Sequence, residues 1–472
     1  MASSPGIPYT YDRTHSTADV RAAHGDLEAA QETTHVVRIA GRLMLRRVQG
    51  KLCFGSLADS SGRIQLFANA AHTPLFDDFC SLALGDWIGV EGIVMTTRKG
   101  ELSVRVDSWV VLARAERSFP DKWHGLSDPD TRYRQRYVDL WVTEESRATF
   151  QARSRIMSLT RRWLEEEHGY MEVETPVFHP IPGGALARPF ITHHNALDND
   201  MYLRIAPELY LKRLIAGGFE RVFEIARVFR NEGLSPRHNP EFTMLELYQA
   251  YADYHDIMKL TEDLVEYLAL QICGTTQVIY NDKPLNLSAP WRRATMTDLI
   301  KEFTGLDVSL DTSLEEMRAH CDDHGVPYKP THGVGKLILE LYEKTGEHNL
   351  WDPVFVIDYP VEVSPLSREH RDDDRLTERF EGIIAGRELC NAFSELVDPI
   401  EQRKRFEAQA AENAAGDDEA MVVDEDYLRC QEYGMPPTGG LGIGMDRLVM
   451  LLTNTTTIRD VVLFPTLRPE PA

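Results

Sequence analysis

A charged segment between two predicted strands, residues 230–246, constrains what this chain can fold into more than any other feature. Its flanks, residues 219–230 and 242–251, have the Val, Phe and Ile content or the alternation of apolar residues that is typical of β-strands. Two arginines in the segment, Arg230 and Arg237, can donate forked hydrogen bonds to phosphate. Groups for a base or a ribose lie in the same loop: Glu232 and Asn239. The segment therefore predicts a nucleotide-binding hairpin, although a plain hairpin with surface charges also fits the pattern.

A second, glycine-rich segment, residues 439–447, runs directly into the apolar residues 448–452. This order predicts a strand, a glycine-rich turn and a helix, with Arg447 in the first helical turn, where backbone amides favour anions. The Lys-Ser/Thr pair of a P-loop is missing, and so is the spaced G-x-G-x-x-G that opens a Rossmann unit. The segment thus predicts an unusual anion site, and glycines that serve only strand–helix packing are the alternative.

Together the two segments resemble motifs two and three of the class II aminoacyl-tRNA synthetases, with Arg230 in the first and Arg447 in the second. A segment similar to motif one precedes them. Residues 156–163 repeat apolar side chains at helical spacing, and residues 170–176 read as a strand that ends in proline. In that family this element forms the dimer interface.

A narrower resemblance, to the bacterial-type class II lysyl-tRNA synthetases, covers the chain from about His35 onward. Four segments carry it: Pro182–Ala185, Ala187–Asn195, Ala206–Lys212 and Asn391–Leu396. The resemblance implies an α+β protein with an N-terminal five-stranded OB-fold β-barrel and a class II catalytic domain, in which helices flank an antiparallel sheet. The implied reaction is the ATP-dependent attachment of L-lysine to the 3′ end of tRNA(Lys) through a lysyl-adenylate, with release of AMP and pyrophosphate. Implied partners are tRNA(Lys), L-lysine, ATP and a second copy of the chain, with Mg²⁺ as cofactor and no membrane.

Composition agrees with this interpretation. The chain has 472 residues, 43% of them apolar, which is enough for two or three domains. Its six cysteines include no Cys-x-x-Cys pair, which argues against a zinc site and against a disulfide framework. Residues 1–32 are polar and lack an apolar core, so we expect neither a signal peptide nor a membrane anchor. The protein is therefore expected to be cytoplasmic. Because the net charge of −23 disfavours nucleic acid, RNA contacts must come from local positive charge.

Such local positive charge lies in residues 35–65, which hold six basic residues and one acidic residue. Strands are predicted over residues 36–46, 52–57, 63–67, 86–96 and 101–112. About five short strands suggest a small OB-type barrel, which binds single strands by stacking bases on aromatic side chains such as Phe54. A structural barrel with Phe54 in its core is the alternative. The resemblance implies that four residues contact anticodon bases: Arg46, Phe54, Gln65 and Glu101.

These patterns divide the chain into four parts. We expect a flexible N-terminal tail over residues 1–34 and an OB-fold anticodon-binding domain over residues 35–115. A polar segment with several prolines predicts a linker over residues 116–145. The catalytic domain is expected to comprise residues 146–472.

A metal site is predicted on the hairpin formed by residues 379–395. If Ala385-Gly386 is a two-residue turn, Glu381 and Glu388 become diagonal neighbours on one face, about 7–8 Å apart at Cα. Carboxylates at that separation can share Mg²⁺ with triphosphate oxygens, as the resemblance also implies, and two exposed glutamates are the alternative. Simple alternation places Asn391 on the opposite face from Glu388, so a bulge between residues 388 and 391 is required if both line one site.

The choice of amino acid is predicted to depend on carboxylates. Alternation places Glu246 and Tyr248 on one face of their strand, and it does the same for Asn391, Phe393 and Glu395 on theirs. Two acids can thus meet one cation, and a buried ammonium is tolerated only when it is paired, so the pocket favours a long basic side chain.

The remaining roles are implied by the resemblance alone. It assigns Glu208 to the α-ammonium of lysine, with Gly184 at that end of the pocket. It assigns catalytic roles to Arg230, on the α-phosphate and the lysine carboxylate, and to Arg447, on the γ-phosphate. Phe242 is expected to stack on adenine. The same ATP pocket is expected to include three further residues: Glu232, His238 and Asn239.

Two other functions would fit parts of the sequence. A relative that attaches an amino acid to a protein side chain uses the same adenylate chemistry, but such relatives are truncated to the catalytic core, and this chain has a predicted barrel before Leu112. A noncatalytic RNA-binding protein has no need to retain all four of the reactive side chains: Arg230, Glu381, Glu388 and Arg447.

Overall fold

The structure, a computed structural model, describes residues 7–117, 126, 128–414 and 419–470. The chain divides into two units, Met1–Ser127 and Asp128–Ala472. Part of the predicted linker, residues 118–125 and 127, lies outside the described residues. The division into residues 1–34, 35–115, 116–145 and 146–472 stays a prediction.

The first unit is built from six strands and two short helices among its described residues. In chain order they are α1 Thr17–His24, β1 Glu32–Gln49, β2 Leu52–Ala58, β3 Arg63–Asn69, α2 Phe76–Ser81, β4 Trp87–Thr96, β5 Leu102–Arg105 and β6 Ser108–Ala113. The long strand β1 pairs with both β2 and β4, so the pairings run β1–β2–β3–β5–β4 and back to β1, as the predicted barrel requires. Alternate side chains of these strands, such as Ile39, Leu66 and Val90, fill its interior.

Two features of this unit differ from the sequence expectations. The predicted fifth strand over residues 101–112 is two strands, because Val106 and Asp107 turn away to bond the carbonyl oxygens of Phe67 and Glu91, each at 2.9 Å. The segment expected to be a flexible tail contains α1, whose Val20 is fully buried in the barrel core.

The second unit contains the larger sheet. Its first elements are α3 Pro129–Arg134, α4 Arg136–Val142, α5 Glu144–Arg162, β7 Met171–Glu172, β8 Phe178–His179, β9 Ile191–His194, β10 Asn199–Leu203, α6 Glu208–Ala216, β11 Arg221–Phe229, β12 Glu241–Ala250 and α7 Tyr254–Cys273. A π-helical turn, Trp163–Glu167, extends α5. The predicted strand over residues 170–176 is ordered as a strand only at β7.

The rest of the second unit contains the helices and strands that complete the main sheet and its surroundings. The elements are β13 Gln277–Tyr280, β14 Lys283–Asn286, β15 Arg292–Thr295, α8 Met296–Thr304, α9 Leu314–Asp323, α10 Val334–Thr345, β16 Val354–Pro360, β17 Leu376–Ile384, β18 Arg387–Ser394, α11 Pro399–Ala414, α12 Glu425–Glu432, β19 Thr438–Gly444, α13 Met445–Leu452 and α14 Ile458–Val461. Two short 3₁₀ turns, Glu347–Asn349 and Val361–Val363, flank β16.

Eight strands form the main sheet in the order β15-β16-β17-β18-β19-β12-β11-β7. All neighbours are antiparallel except the two edge pairs, β15–β16 and β7–β11, which are parallel. Helices α5, α7 and α13 pack their apolar residues on one face of the sheet, against alternate side chains such as Leu245 and Leu247. The predicted antiparallel sheet flanked by helices is thus confirmed, and the other face of β12, β18 and β19 remains available for a site.

Candidate active site

A cavity of about 430 Å³ lies on the sheet face opposite α5 and α7. Every residue predicted to bind ATP or lysine lines it: Gly184, Glu208, Arg230, Glu232, His238, Asn239, Phe242, Glu246, Tyr248, Glu381, Glu388, Asn391, Phe393, Glu395 and Arg447. These residues come from segments that are far apart in the sequence and become neighbours because β12, β18 and β19 are adjacent in the sheet. The predicted roles of the individual residues stay predictions.

One end of the cavity is acidic and closed. Glu246 and Glu395 are 3% and 1% exposed, and the Tyr248 hydroxyl donates a hydrogen bond to Glu246 Oε2 at 3.2 Å. Burial raises the pKa of both carboxyl groups well above their usual range. Ionising these acids is costly when the cavity holds no ligand, and a bound cation strongly stabilises their charged forms. This end of the cavity therefore favours an ammonium group.

Sequence reasoning missed Lys212, which lies at the same end. Its Nζ contacts Glu208 Oε1 at 2.5 Å and also forms an ion pair with Glu395, and the side chain is fully buried. Glu208 and Lys212 are four residues apart on α6, so helical spacing alone could have suggested that pair. Only the tertiary structure brings in Glu395.

Gly184 closes the cavity above Glu208. Its φ of +88° is unfavourable for other residues, and a Cβ there would stand 3.0 Å from Glu208 Cβ. A side chain at this position would therefore displace Glu208.

Arg230 reaches the middle of the cavity from the end of β11. Its guanidinium lies 5.1 Å from the Phe242 ring centroid, and burial lowers its pKa. Among the described residues, none accepts a hydrogen bond from its buried Nε. A buried guanidinium with a free donor is suited to a phosphate or carboxylate of a ligand.

The hairpin β17–β18 has the predicted turn and the predicted bulge. Ala385 and Gly386 both have positive φ, and Ile383 pairs with Glu388, whereas Gly382 pairs with Cys390. Leu389 is therefore the extra residue that shifts the register. The bulge allows Glu388 to line the same cavity as Asn391, which pairs with Glu381.

The two acids of this hairpin are held by arginines. Arg379 donates to Glu381 Oε1 at 2.6 Å, and Arg447 Nη1 lies 3.3 Å from Glu388 Oε2. Burial and the charge of Glu388 raise the pKa of Glu381, Arg379 opposes both, and the resulting pKa is about 7. Hard carboxylate oxygens that repel each other fit a divalent cation, which would lower the cost of ionising both. Within the described residues no group of three or more His, Cys, Asp or Glu side chains is arranged to hold a metal, so these two acids would share it with a ligand.

The raised pKa of Glu381 predicts how the metal-free protein responds to pH. An acid with a raised folded-state pKa stabilises the fold below its unfolded pKa, and this contribution is lost as the pH rises through about 7. Between about pH 5 and pH 8 in a chelator, the unfolding temperature of the wild type is therefore expected to decrease more than that of Glu381→Gln. Glu425→Gln, which alters an exposed pair with Arg403 at 2.7 Å and whose carboxyl pKa is lowered by that arginine, is the control and should follow the wild type. Parallel curves for wild type and Glu381→Gln would contradict the expectation.

The loop after Arg230 is shaped by its own hydrogen bonds. His238 Nδ1 lies 3.0 Å from Ser235 Oγ, and burial lowers its pKa. The side chain of Asn239 donates to the carbonyl of Glu241 at 2.6 Å and accepts from the backbone of Thr466 at 3.2 Å. Asn239 therefore fixes the wall of the cavity in addition to any contact with a ligand.

The prediction of a glycine-rich turn was wrong. The glycine-rich segment forms the central strand β19, which leads directly into α13. Its glycines are required by the neighbouring strands. A Cβ at Gly440 would stand 2.6 Å from the Tyr248 ring and would collide with Glu395. The acidic end of the cavity thus occupies the space that side chains of β19 would otherwise fill.

In the first unit, the predicted anticodon residues lie on the outer face of the barrel or at its rim. Phe54 alternates with buried Cys53 and Gly55, so it lies outside the core, and its ring is 5.5 Å from that of Phe67. Gln65, two residues before Phe67 on β3, donates to Ser103 Oγ at 2.9 Å. Sequence reasoning missed Phe67, although alternation from Gln65 indicates the same face.

Arg46 and Glu101 are engaged within this unit. Arg46 donates to the carbonyl of Leu82, and Glu101 lies 3.9 Å from Arg21 of α1. The anticodon roles of the four residues stay predictions, and Arg21 is a cation beside Glu101 that the sequence did not indicate.

Comparison with known proteins identifies two families. Residues 128–468 match the family described as tRNA synthetases class II (D, K and N), and residues 37–112 match the OB-fold nucleic acid binding domain. The chain is 53% identical over 469 residues to a lysine--tRNA ligase of Synechococcus sp. (strain RCC307), which covers 98% of this chain and 93% of the relative. It is also 53% identical over 462 residues to the lysine--tRNA ligase of Bacillus subtilis (strain 168), and this match covers 97% of this chain and 92% of the relative. A lysine--tRNA ligase of Nostoc punctiforme is 52% identical over 476 residues, with 98% and 85% covered.

Proposed function

The chain belongs to the class II tRNA synthetases (D, K and N), and on that premise we propose that it charges tRNA(Lys) with L-lysine. The reaction uses ATP, proceeds through a lysyl-adenylate and releases AMP and pyrophosphate. The observation that best supports lysine is the acidic end of the cavity, where Glu246 and Glu395 are buried with raised pKa values. An aspartate or asparagine substrate would leave these acids without a cation.

Lysine binds with its side chain at that end. Its ε-ammonium meets Glu246, Glu395 and the Tyr248 hydroxyl, and its α-ammonium meets Glu208 beside Gly184. Asn391 and Phe393 line the space between the two ends of the amino acid. This orientation leaves the carboxylate of lysine facing Arg230.

ATP occupies the remaining part of the cavity. Phe242 offers a ring for adenine, and three polar residues line the same region: Glu232, His238 and Asn239. Arg230 neutralises the α-phosphate and the attacking carboxylate, and Arg447 neutralises the γ-phosphate. Glu381 and Glu388 would hold Mg²⁺, which supplies charge neutralisation on the triphosphate oxygens. The first step therefore depends on positioning and charge, and no nucleophile of the protein is required.

In the second step the 3′-hydroxyl of the terminal ribose of tRNA attacks the lysyl carbonyl and AMP leaves. The anticodon of the same tRNA is read by the barrel through Arg46, Phe54, Gln65 and Glu101. Phe67 extends the stacking surface beside Phe54.

A homodimer in the cytoplasm is part of the proposal. Large apolar side chains around β7, β8 and β9 are exposed in the single chain: Met171, Val177, Phe178 and Ile191. Phe178 and Ile191 are 52% and 64% exposed, which is expected of a surface that a second copy covers. Among the described residues, no helix is long and apolar enough to cross a membrane.

The test is amino-acid-dependent ATP–pyrophosphate exchange with each of the twenty amino acids, followed by charging of total tRNA with the same preparation. Exchange with lysine alone and transfer of lysine to tRNA are expected. Lysine exchange without transfer would favour a protein-modifying relative, and absence of exchange would contradict catalysis.

Substitution of Phe54 separates the two steps. Phe54→Ala is expected to raise KM for tRNA about tenfold, because stacking on one base contributes about 1–3 kcal/mol. Exchange should be unchanged, since it does not involve the anticodon. Leu84→Ala, which removes another exposed apolar side chain of the same unit, is the control and should charge tRNA like the wild type. An unchanged KM for tRNA in Phe54→Ala would remove Phe54 from the anticodon surface.

A further inference from the structure

Lys212 is a fully buried cation behind two acids that line the cavity, Glu208 and Glu395, and no step of the proposed reaction uses it. Its Nζ lies 2.5 Å from Glu208 Oε1 and forms a second ion pair with Glu395. Two aromatic rings enclose it, with centroids 5.1 Å away in Phe393 and 6.0 Å away in Tyr248. A lysine in such surroundings is retained only because both of its partners are acidic.

The partners of Lys212 are the two acids that are assigned to the two ammonium groups of the proposed substrate. Glu208 is assigned to the α-ammonium and Glu395 to the ε-ammonium. A single side chain of α6 therefore holds an acid of its own helix and an acid at the end of β18. This arrangement fixes the distance between the two carboxylates before any ligand arrives.

Counting charges explains why a cation is needed there. Three buried carboxylates, Glu208, Glu246 and Glu395, carry three negative charges when ionised, and Lys212 reduces the net charge to two. The α- and ε-ammonium groups of lysine bring two positive charges, so the group formed by the three acids and Lys212 becomes neutral when lysine binds. The carboxylate of lysine lies outside this count because it faces Arg230.

Without Lys212 the balance would fail. Burial already raises the pKa of Glu246 and Glu395 well above the usual range. A third uncompensated charge would keep one carboxyl group protonated, and a protonated acid forms no ion pair with an ammonium. The loss would appear in lysine binding more than in ATP binding, because Lys212 contacts Glu208 and Glu395, which are assigned to lysine, and not the arginines assigned to the phosphates.

We propose that Lys212 is a positioning residue for substrate selection, which sets the net charge around the three buried acids and holds Glu208 and Glu395 in place for the two ammonium groups of lysine. The inference rests on the proposed function, since it assumes that lysine is the ligand. It adds a specificity role for a residue that contacts the selecting acids and not the reacting atoms.

The experiment measures binding of L-lysine and of ATP by calorimetry in wild type, Lys212→Met, Glu395→Gln and the double variant. Lys212→Met is expected to weaken lysine binding about a hundredfold and to change ATP binding less than about twofold. The Glu395→Gln background already has one negative charge fewer. In that background Lys212→Met should weaken lysine binding less than about tenfold. Lys259→Met, which breaks an exposed helical pair with Asp263, is the matched control and should bind lysine like the wild type.

The outcomes separate the two claims. An equal loss in both backgrounds would indicate that Lys212 only fills space, and it would overturn the inference while the proposed function stands. Wild-type protein that binds ATP but not lysine would overturn both. If Lys212→Met loses its fold, as loss of ATP binding would show, Lys212→Arg decides. Lysine affinity within about tenfold of wild type would support a role of the charge, and a hundredfold loss would contradict it.

Discussion

Replacing Arg230 by methionine is expected to lower lysine-dependent ATP–pyrophosphate exchange about a thousandfold. The guanidinium lies between the ends of the cavity, with a buried Nε that no described residue accepts from. Of its proposed ligands, the α-phosphate gains negative charge in the transition state, and the lysine carboxylate must be held in line to attack it, so the loss should be largest in kcat.

The same substitution is expected not to lower the unfolding temperature of the ligand-free protein. Burial lowers the pKa of Arg230, which means that its charge is held at a cost when no anion is bound. Arg227→Met is the matched control: Arg227 lies on β11, three residues before Arg230, its side chain is 42% exposed, and the exchange of the variant should equal that of the wild type. A large fall in stability together with exchange would indicate a structural role for Arg230 instead.

Glu246→Gln is expected to raise KM for lysine in exchange about a hundredfold, with KM for ATP nearly unchanged. Glu246 is 3% exposed, and among the described residues only the Tyr248 hydroxyl donates a hydrogen bond to it, so a bound ammonium would be the main compensation for its charge. Glutamine keeps the shape of the side chain and removes its charge, which isolates the electrostatic part of recognition.

Glu241→Gln provides the comparison for this variant, because it changes an acid of the same strand whose side chain is 44% exposed and lies 3.9 Å from Arg227. Its KM for lysine should match the wild type. Equal changes in KM for lysine and for ATP in Glu246→Gln would mean that the cavity as a whole was disturbed, and an unchanged KM for lysine would remove Glu246 from the lysine site.

Strand periodicity was enough to place most of the site. Because side chains alternate along a strand, Glu246 and Tyr248 had to share a face, and so did Asn391, Phe393 and Glu395. The two-residue turn at Ala385-Gly386 was the premise of the hairpin prediction and is present in the structure, and the need for a bulge followed from Glu388 and Asn391 serving one site. The bulged residue itself, Leu389, was not predictable, since no local pattern distinguishes it from its neighbours.

The glycine-rich segment shows where periodicity was insufficient. Glycines are common in turns and lack the side chains that reveal a strand, so residues 438–444 were predicted in part as a turn. Glycine is required because side chains from neighbouring segments lie over β19. Tyr248 comes from β12, and Glu395 comes from the residue after β18. A sequence does not show which strands will be neighbours.

By itself the sequence determined the identity of the reactive groups, the faces of the strands that carry them and, through Arg230, Glu232 and Arg447, the resemblance to the class II synthetases. Those inferences follow from local geometry, which depends on neighbouring residues along the chain. Only the tertiary structure decided that Lys212 joins Glu208 and Glu395, that α1 packs on the barrel with Val20 in its core, and that β19 passes beneath the acidic end of the cavity. Such contacts depend on the order of strands and on burial, and burial turns a pair of ordinary glutamates into a site that selects a cation.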